Sequence, residues 1–502
     1  MARHALRLAA AAAASALLSA CGQVLRGPTG AARTRADTAP PTVTREMRGL
    51  WIATVANIDW PSRPGLPAEQ QRAELIDLLD RAQRAGINAV MFHVRPNADA
   101  VYRSELEPWA SMLTGTTGGD PGYDPLELAV REAHARGIQL HAWINPYRAG
   151  RARDTLTLPA NHVWRQRPEL VRNYGGTLWM DPGEPEVLER TMRASLDIVR
   201  RYDVDGIHAD DYFYPYPVTD SATRAAIPFP DDSSYARYGN GVPRDDWRRA
   251  NVDRFVERWA REVHALKPWV QVGISPFGIW RPENPPGIKG LDAHAVLYAD
   301  SRRWLQEGWV DYLAPQLYWA IDPPQQSFPA LLDWWMAQNT RGRHVWPGLA
   351  VYREESGQAS QFAAGEIRRQ IRLTRERPGA TGHLLYNATA TLKRNGGSMA
   401  TMLASDVYQT PALPPAMPWL DATPGAPGAP TLEPAASALR IVPAAGEAAR
   451  WWVVRRRADD GWTTRVQLAD DRSITLAGGT SRVMVQAVDA AGNVGPVTEW
   501  RR

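Results

Sequence analysis

The stretch VDGIHADDYFYP, residues 204–215, begins as an apolar run and ends in two adjacent carboxylates, three aromatic residues and a proline. Its apolar half is typical of a buried strand, and the paired acids stand where such a strand would end. Amphipathic helical segments separate this run from further runs of the same kind. The eight apolar runs begin at Gly49, Asn88, Gln139, Asp205, Val270, Asp311, Val345 and His383.

This alternation of strand and helix predicts the fold of the largest segment. Eight repeats within residues 44–410 indicate an α/β fold, a (β/α)8 TIM barrel. An open doubly wound sheet is the alternative, but no glycine-rich phosphate loop follows any of the predicted strands. The chemistry of a TIM barrel lies at the carboxyl ends of its strands, so the acids of the opening stretch are the first candidates for a site.

The N-terminus has the pattern of an export signal. Arg3 and Arg7 precede an apolar run, residues 8–20, that is shorter than the roughly 20 residues needed to span a bilayer. The run ends in Leu-Ser-Ala before Cys21, which resembles a bacterial lipobox. We therefore predict a lipoprotein signal peptide over 1–20, lipidation of Cys21 and a tether over 21–43. An ordinary signal peptide with a chance cysteine is the alternative.

The residue after the cysteine indicates where the anchor lies. Gly22, rather than an aspartate, resembles the outer-membrane sorting pattern of lipoproteins. We expect the protein in the cell envelope, anchored to the outer membrane through its N-terminal lipid and facing the periplasm.

The C-terminal part differs in composition from the barrel segment. Residues 411–434 contain eight prolines, which predicts a semi-rigid linker and a separable module beyond it. Residues 435–502 contain short β-rich runs between turn residues, such as RWWVVRRR and RVMVQAVDAAGNVG. This pattern resembles a small fibronectin type III-like β-sandwich.

Cysteine content and charge exclude several classes of function. Because the only cysteine, Cys21, is expected to carry the lipid anchor, we expect no disulfide and no thiolate for catalysis or metal binding. The formal charge is +4, and removal of residues 1–20 takes away two arginines and no acid, which leaves +2. This small charge gives no indication of a nucleic-acid partner. The 21 tryptophans against 7 phenylalanines suit core packing as well as stacking on sugar rings.

Side-chain alternation selects the residues that point into the predicted barrel. On the second strand Val90, Phe92 and Val94 face the helices, which turns His93 and Arg95 inward. The same rule applied to strands three to six gives a polar and aromatic set. This set is His141, Trp143, Asn145, Gly206, His208, Asp210, Gln271, Gly273, Ser275, Ala314, Gln316 and Tyr318.

The alternation separates the two acids of the opening stretch. Asp210 points inward at the top of strand four, and neighbouring residues of a strand point to opposite faces, which argues against an Asp210–Asp211 pair in one site. Asp211 reaches the mouth only if the backbone turns there; otherwise it caps the loop or pairs with an arginine. The structural alternative for Asp210 is a buried ion pair, with Arg95 as the expected partner.

Six motifs of the barrel segment resemble a known family. RGLWIATVANIDWP, VMFHVRPNADAVYRSELEPW, PGYDPLELAVREAHARGIQLHAWINPYR, VDGIHADDYFYP, ISPFGIWRP and VDYLAPQLYW, found in this order between Arg48 and Leu403, are similar to the glycosyl hydrolase-like family ten of bacterial lipoproteins. The resemblance implies a TIM barrel that cleaves peptidoglycan glycan strands lacking stem peptides. It also implies division-site proteins as partners.

Glycosidase chemistry usually needs two carboxyl groups, one of which protonates the leaving oxygen. Asp210 is the first candidate, and Asp211, Asp99, Asp59 and Glu283 are candidates for the second. Other polar and aromatic residues near the strand ends are expected to bind substrate. They are Asp59, His93, Arg95, Asn97, Trp143, Asn145, Tyr147, Arg148, His208, Tyr212, Ser275, Trp280, Gln316, Tyr318 and Trp319.

The inward histidines raise the question of a metal. His93, His141 and His208 lie on three successive strands, but below the strand ends, where neutral histidines commonly fill a barrel. We therefore expect no metal and no cofactor. Two alternatives to a glycosidase stay open, a non-catalytic glycan-binding lipoprotein of the envelope and a structural tether to the cell wall.

Overall fold

A computed structural model describes residues 40–420, 425–446 and 448–502 of the chain. The predicted signal peptide, the lipidation site Cys21 and most of the predicted tether lie outside the described residues. Residues 41–502 form one compact unit.

Parallel strands form the body of this unit. We label them β1 (Met47–Ile52), β2 (Ala89–Arg95), β3 (Gln139–Ile144), β4 (Gly206–Ala209), β5 (Gln271–Ile274), β6 (Tyr312–Leu313), β7 (His344–Val345 and Gly348–Ala350) and β8 (Gly382–Tyr386). The first part of β7 pairs with β6 and the second part pairs with β8, which itself pairs with β1. The sheet therefore closes into an eight-position barrel, and the predicted TIM barrel is confirmed.

Helices cover the outside of the barrel. The principal helices of the described residues, one after each strand, are α1 (Ala68–Arg84), α2 (Pro125–His134), α3 (Pro185–Arg201), α4 (Arg244–Leu266), α5 (Ser301–Glu307), α6 (Phe328–Gln338), α7 (Glu366–Arg375) and α8 (Ala388–Leu392). The start of α2 shows why these segments become helical. Asp124 accepts the backbone N–H groups of Leu126 and Glu127, and Pro125 takes the first helical position. Among the helices of the described residues, none has the length and apolar content that a membrane crossing requires.

The predicted alternation of side chains is confirmed by two separate cores. Val90, Phe92, Leu140 and Ile207 belong to the large apolar cluster between sheet and helices. A second cluster, which fills the barrel, includes Met91, Trp143, Tyr312 and Trp346.

The barrel interior depends on small residues at two strands. A Cβ on Gly273 would lie 2.0 Å from the Tyr312 ring, and one on Gly206 would lie 2.4 Å from Nδ1 of His141. Glycine is required at both positions because no other residue leaves room for these rings.

The C-terminal residues form two antiparallel sheets. Their strands are β9 (Thr431–Ala435), β10 (Ala438–Val442), β11 (Trp451–Ala458), β12 (Gly461–Leu468), β13 (Ser473–Thr475), β14 (Arg482–Val488) and β15 (Thr498–Arg501). One sheet contains β9, β10 and β13, and the other contains β12, β11, β14 and β15. Leu439, Trp452, Ile474 and Val485 pack between them. The predicted β-sandwich is confirmed; its fibronectin type III-like character stays a prediction.

The segment predicted as a linker contacts the barrel. Residues Ala412–Leu413 pair with Thr44–Arg45, and Met417 belongs to the cluster inside the barrel. Trp419 donates from Nε1 to Oδ1 of Asp311, 2.8 Å away, just before β6. The first part of the proline-rich segment therefore packs at the amino ends of the barrel strands, opposite the edge where the chemistry is expected.

The sandwich also reaches this end of the barrel. Arg450 pairs with Asp203 at 2.7 Å and with Asp205 at 3.0 Å, and Trp451 packs edge-on against His134. Burial disfavours the Asp205 carboxylate, but His134 and Arg450 hold its pKa below the usual range. The expected separability of the module does not fit these contacts, because its removal would leave a buried carboxylate without its arginine.

Candidate active site

The two acids of the opening stretch lie together at the carboxyl end of β4. Oδ1 of Asp210 accepts the backbone N–H of Asp211 at 2.9 Å and Nε2 of Gln316 at 3.2 Å. Both aspartates are buried, and the charge of Asp210 acts on the pKa of Asp211. The expectation that they face opposite sides is wrong because β4 ends at Ala209 and the strand alternation ends with it.

A tyrosine of the following loop holds the second acid. The Tyr216 hydroxyl donates to Oδ2 of Asp211, and the Tyr216 ring packs edge-on against Tyr212 and Phe277. This contact fixes Asp211 beside Asp210 at the mouth of the barrel.

The environment gives the two acids different proton affinities. Burial raises the pKa of Asp210, and hydrogen bonds from Asp211 and Gln316 and the charge of Arg148 partly offset this effect. Burial also raises the pKa of Asp211. The Asp210 carboxylate next to it raises this pKa further, because it disfavours a second negative charge. In this pair Asp211 is therefore the preferred site of the proton, and Asp210 the preferred site of the charge.

Arg95 is not the partner of Asp210. Its guanidinium donates to both oxygens of Glu107, at 2.6 and 2.7 Å, and to the carbonyl of Asn145 at 2.7 Å. The structural alternative, in which Asp210 neutralises Arg95, is wrong because Glu107 takes that role. Arg148 is the cation whose charge acts on Asp210.

One side of the barrel interior carries polar atoms without partners. His93 stacks on Trp143 with 3.9 Å between ring centroids. Within the described residues, neither His93 nitrogen, nor Nε1 of Trp143, nor Oδ1 of Asn145 has a hydrogen-bond partner. Buried polar atoms of this kind are exceptions that a bound ligand or water would satisfy, which agrees with their predicted role in substrate binding.

The opposite side of the mouth is a wall of aromatic rings. Tyr318 stacks on Tyr386 at 5.8 Å, and Tyr352 meets both rings edge-on. Burial raises the pKa of Tyr318, and the neighbouring Tyr386 and Asp210 raise it further. Trp319 lies against Phe277, with 5.6 Å between their centroids. Flat rings beside two carboxyl groups suit the faces of sugar rings.

His208 and His141 are structural. Nε1 of Trp51 can only donate, so Nε2 of His208 accepts it at 3.2 Å, and Nδ1 of His208 donates to the Tyr312 hydroxyl at 3.1 Å. That hydroxyl then donates to Nδ1 of His141 at 2.9 Å. Ser275 also bonds to Nε2 of His208, at 3.0 Å. Burial lowers the pKa of both histidines, so this network is neutral and supports the floor of the mouth.

Three further predicted substrate contacts have other roles in the structure. Tyr147 is buried against Phe255, and Trp280 donates to Asp300 at 3.0 Å. Asp59 uses both carboxylate oxygens on backbone N–H groups, those of Ala53 at 2.8 Å and Thr389 at 2.7 Å. These contacts assign Tyr147 and Trp280 to packing and Asp59 to joining the loop after β1 to the segment after β8.

A cavity of about 240 Å³ adjoins the mouth, and Asn97, Asp99 and Arg148 are among its lining residues. Oδ1 of Asp99 accepts the backbone N–H of Asn97 at 2.8 Å. Burial raises the pKa of Asp99 to about 7. Glu283, the remaining acidic candidate, accepts the N–H of Gly287 within its own loop. Across the described part of the chain, no three His, Cys, Asp or Glu side chains are placed to hold a metal ion.

Five residues of the site were not predicted from the sequence, namely Tyr352 and Phe277 of the aromatic wall, Tyr386, Tyr216 and Glu107. Tyr386 ends β8 and faces inward, so the alternation rule would have found it had it been applied to that strand. Tyr216 directly follows the opening stretch, in an aromatic run that gives no indication of which ring bonds to the acid. Glu107 lies in a loop and carries no sequence signal for its pairing with Arg95.

A closed parallel barrel with two interacting carboxyl groups in an aromatic mouth defines the class, a TIM-barrel protein of the glycoside hydrolase type. The family model described as Glycosyl hydrolase-like 10 matches residues 46–363. The chain therefore belongs to the Glycosyl hydrolase-like 10 family, and its enzyme class is glycosidase.

Curated relatives agree with this assignment. The chain is 41% identical over 389 residues to glycosyl hydrolase YngK of Bacillus subtilis (strain 168), covering 76% of this chain and 75% of that protein. It is 35% identical over 386 residues to glycosyl hydrolase DigH of Escherichia coli (strain K12), covering 70% of this chain and 86% of that protein.

Among solved structures, the PgaB (BpsB) glycoside hydrolase domain from Bordetella bronchiseptica is 15% identical, with a TM-score of 0.45, covering 72% of this chain and 99% of that domain. At this TM-score the likeness adds nothing to the assignment.

Proposed function

We propose that the protein hydrolyses glycosidic bonds in peptidoglycan glycan strands that lack stem peptides. The observation that carries the proposal is the pair of buried acids, Asp210 and Asp211, joined by a hydrogen bond from the Asp211 backbone N–H to Asp210 in an aromatic mouth at the end of β4. The substrate rests on the resemblance of the six sequence motifs to the family and on the glycosyl hydrolase names of the relatives.

In the proposed mechanism Asp211 is the general acid. Its raised pKa keeps it protonated, and a protonated carboxyl group can donate to the oxygen of the leaving sugar. Asp210 keeps the negative charge, with the amide of Gln316 and the backbone N–H of Asp211 as donors. A charge at this point stabilises the positive character that develops at the anomeric carbon.

The different proton affinities of the two acids suit one kind of mechanism. A protonated and a charged carboxyl group side by side supply a proton donor and a charge stabiliser. We propose a substrate-assisted reaction, in which a group of the sugar itself attacks the anomeric carbon and no carboxylate nucleophile is needed.

Each sugar of a peptidoglycan strand carries a 2-acetamido group that can perform this attack. The acetamido oxygen bonds to the anomeric carbon while the glycosidic bond breaks and the proton of Asp211 passes to the leaving oxygen. Asp210 accepts the acetamido N–H and stabilises the cyclic intermediate. Water then opens this intermediate, returns a proton to Asp211 and leaves the product with retained configuration.

The test is the release of new reducing ends. Purified protein is incubated with stripped glycan strands and, in parallel, with strands that keep their stem peptides. We expect new reducing ends from the stripped strands only. Binding to stripped strands without new reducing ends would instead support the non-catalytic glycan-binding protein, and absence of binding would contradict both.

We further propose that the protein acts at the envelope, anchored to the outer membrane by a lipid on Cys21. The proposal rests on the lipobox-like sequence and on Gly22 after the cysteine. A tether over residues 21–43 would hold the barrel beside its polymeric substrate and near proteins of the division site.

A further inference from the structure

A cavity beside the two acids has a lining that the proposed reaction does not use. It has a volume of about 240 Å³, and the residues that matter here are Asn57, Asn97, Asp99, Arg148, Arg151 and His162. They come from the loops that follow β1, β2 and β3, so the cavity opens at the carboxyl ends of these strands. We call it the flanking cavity.

Arg148 connects the flanking cavity to the acids. It lies on the short loop strand Arg148–Arg151 after β3, its guanidinium is 5.6 Å from the Tyr212 ring centre, and its charge acts on Asp210. Within the described residues, Nε of Arg148 has no hydrogen-bond partner and no acid forms an ion pair with its guanidinium. Arg148 is half-buried with a buried Nε, whereas the fully buried Arg95 has Glu107 as its ion-pair partner. The charge of Arg148 acts on Asp210 without forming an ion pair, which leaves the guanidinium able to pair with an anion of the ligand.

The other charges around the flanking cavity leave it suited to an anion. Arg151 is exposed on the same wall. Asp154, another lining residue, pairs with Arg153 at 3.7 Å. Burial lowers the pKa of His162 to about 4, which leaves its ring neutral, and burial raises the pKa of Asp99 to about 7. The ion pair of Asp154 and the raised pKa of Asp99 thus reduce the negative charge beside the arginines of the wall.

The size of the flanking cavity limits the ligand to a substituent. Sites for whole drug-sized ligands measure about 300–1,000 Å³. The backbone of the lining segments is also held in unusual conformations, since Ala56, Asn57 and Ala98 all have positive φ. Left-handed backbone at non-glycine residues costs free energy and is concentrated at functional sites.

We propose that the flanking cavity binds a free carboxylate carried by a sugar next to the bond that is cleaved, with Arg148 as its ion-pair partner. This inference rests on the proposed function. In peptidoglycan, the lactyl group of each muramic acid ends in a carboxylate once its stem peptide has been removed, whereas an intact stem turns the same group into an amide. Arg148 would therefore distinguish strands without stem peptides from strands that keep them, since guanidinium groups pair with carboxylates and not with amides.

The experiment compares two preparations of stripped strands, one with free lactyl carboxylates and one in which carbodiimide and ammonia have converted them to primary amides. Wild-type protein, Arg148→Gln and Arg148→Lys are assayed on both for kcat/KM, with strand binding measured in parallel. We expect the wild type to prefer the carboxylate strands by at least about tenfold, since a hydrogen bond to a charged group contributes about 1.5–3 kcal/mol.

Arg148→Gln should bring this preference close to one, and Arg148→Lys should keep part of it. The result is judged from the ratio of kcat/KM on carboxylate strands to kcat/KM on amide strands. The charge of Arg148 also acts on Asp210, so its loss lowers the rate of cleavage of both kinds of strand. Arg165→Gln is the matched control, because Arg165 is an exposed arginine after β3 that does not line the cavity, and it should keep the wild-type ratio.

Two results would overturn the inference. One is wild-type protein that cleaves and binds both preparations equally well. The other is an Arg148→Gln protein that keeps the preference for carboxylate strands. Absence of cleavage in every sample would contradict the proposed function instead, and the binding ratio would still decide the role of Arg148.

Discussion

Asp210 and Asp211 act on one another because the strand that carries them ends one residue earlier, at Ala209. In a continuing strand the two side chains would face the barrel and the helices in turn, and only one would reach the mouth. Because β4 ends at Ala209, Asp210 and Asp211 can both lie at the mouth, where each acts on the pKa of the other. A pair of neighbouring acids thus supplies a proton donor and a charge from a single strand end.

This pair makes stability depend on pH in a direction that can be measured. The pKa of Asp211 is raised in the folded protein, so its contribution to stability is present below the unfolded pKa and is lost as pH rises through the folded pKa. Asp211→Asn should therefore raise Tm at pH 8, by roughly 1 °C for each kcal/mol relieved in a unit of this size, and change it little at pH 4.

Thermal unfolding followed by circular dichroism at both pH values checks this expectation. Asp460→Asn, at an exposed turn of the sandwich, is the control and should show no such pH dependence. A Tm at pH 8 below that of the wild type would show that the Asp211 carboxylate is stabilised rather than strained.

At the scale of the elements, the strands and their inward faces could be predicted because side chains of a strand alternate between two faces, and the alternation of residue types is visible in the sequence. The pattern gave the directions of Phe92, His93, Leu140 and Trp143 correctly. It could not give the partner of an inward residue, and Arg95 pairs with a loop glutamate for which no periodicity exists.

The seventh strand shows another limit of pattern reading. The run VWPGLAV suggests one strand, but Pro347 has no N–H to donate to a neighbour, so the strand is divided into His344–Val345 and Gly348–Ala350. The break does not open the barrel because Gly348 donates to the carbonyl of Pro315 at 2.8 Å, and Leu384 donates to that of Pro347 at 3.0 Å. Closure is a property of the assembled sheet and not of this segment.

The interior of β5 gives a prediction at this scale. In Gly273→Ala the new Cβ would meet the Tyr312 ring at 2.0 Å, and displacement of that ring would disturb its bonds to His208 and His141. We expect a loss of unfolding free energy of about 1–3 kcal/mol, measured by urea denaturation. Gly478→Ala, where nothing lies within 4 Å of the new Cβ, is the matched control. Equal stability of the two variants would mean that the interior is not packed as described.

At the scale of the whole molecule, the sandwich and the barrel depend on one another. Arg450→Ala would leave His134 as the remaining side-chain partner of the buried Asp205, and the loss of the charged hydrogen bond should cost about 1.5–3 kcal/mol. A chain that ends at Thr410 would lose Leu413, Met417 and Trp419 as well, and we expect it to be less stable than a chain that ends at Leu420. Urea denaturation of the Arg450→Ala protein and of the two shortened chains, each compared with the full chain, gives the order of their free energies of unfolding. If the chain that ends at Thr410 is as stable as the full chain, the C-terminal module is separable from the barrel, as the sequence predicted.

The proposed anchor also belongs to the whole molecule. Cys21→Ser removes the atom to which the lipid would be attached and leaves the described residues untouched. We expect the variant to leave the outer-membrane fraction and to appear as soluble protein, as judged by fractionation and immunoblotting. Ser19→Ala, which keeps the cysteine, should stay with the membrane. Cys21→Ser protein that remains in the outer membrane would point to a different anchor.

The central claim is that the pair at the end of β4 cleaves glycan strands, and Asp210→Asn tests it most directly. The substitution keeps the size of the side chain and its hydrogen-bond acceptor for Gln316, but removes the charge that would stabilise the developing positive centre. The measurement is the rate of new reducing ends from stripped strands, with strand binding and Tm followed in the same samples. The account predicts a fall of at least about a hundredfold, about 2.7 kcal/mol of barrier, with binding retained and Tm not lowered. Full activity in Asp210→Asn would contradict it.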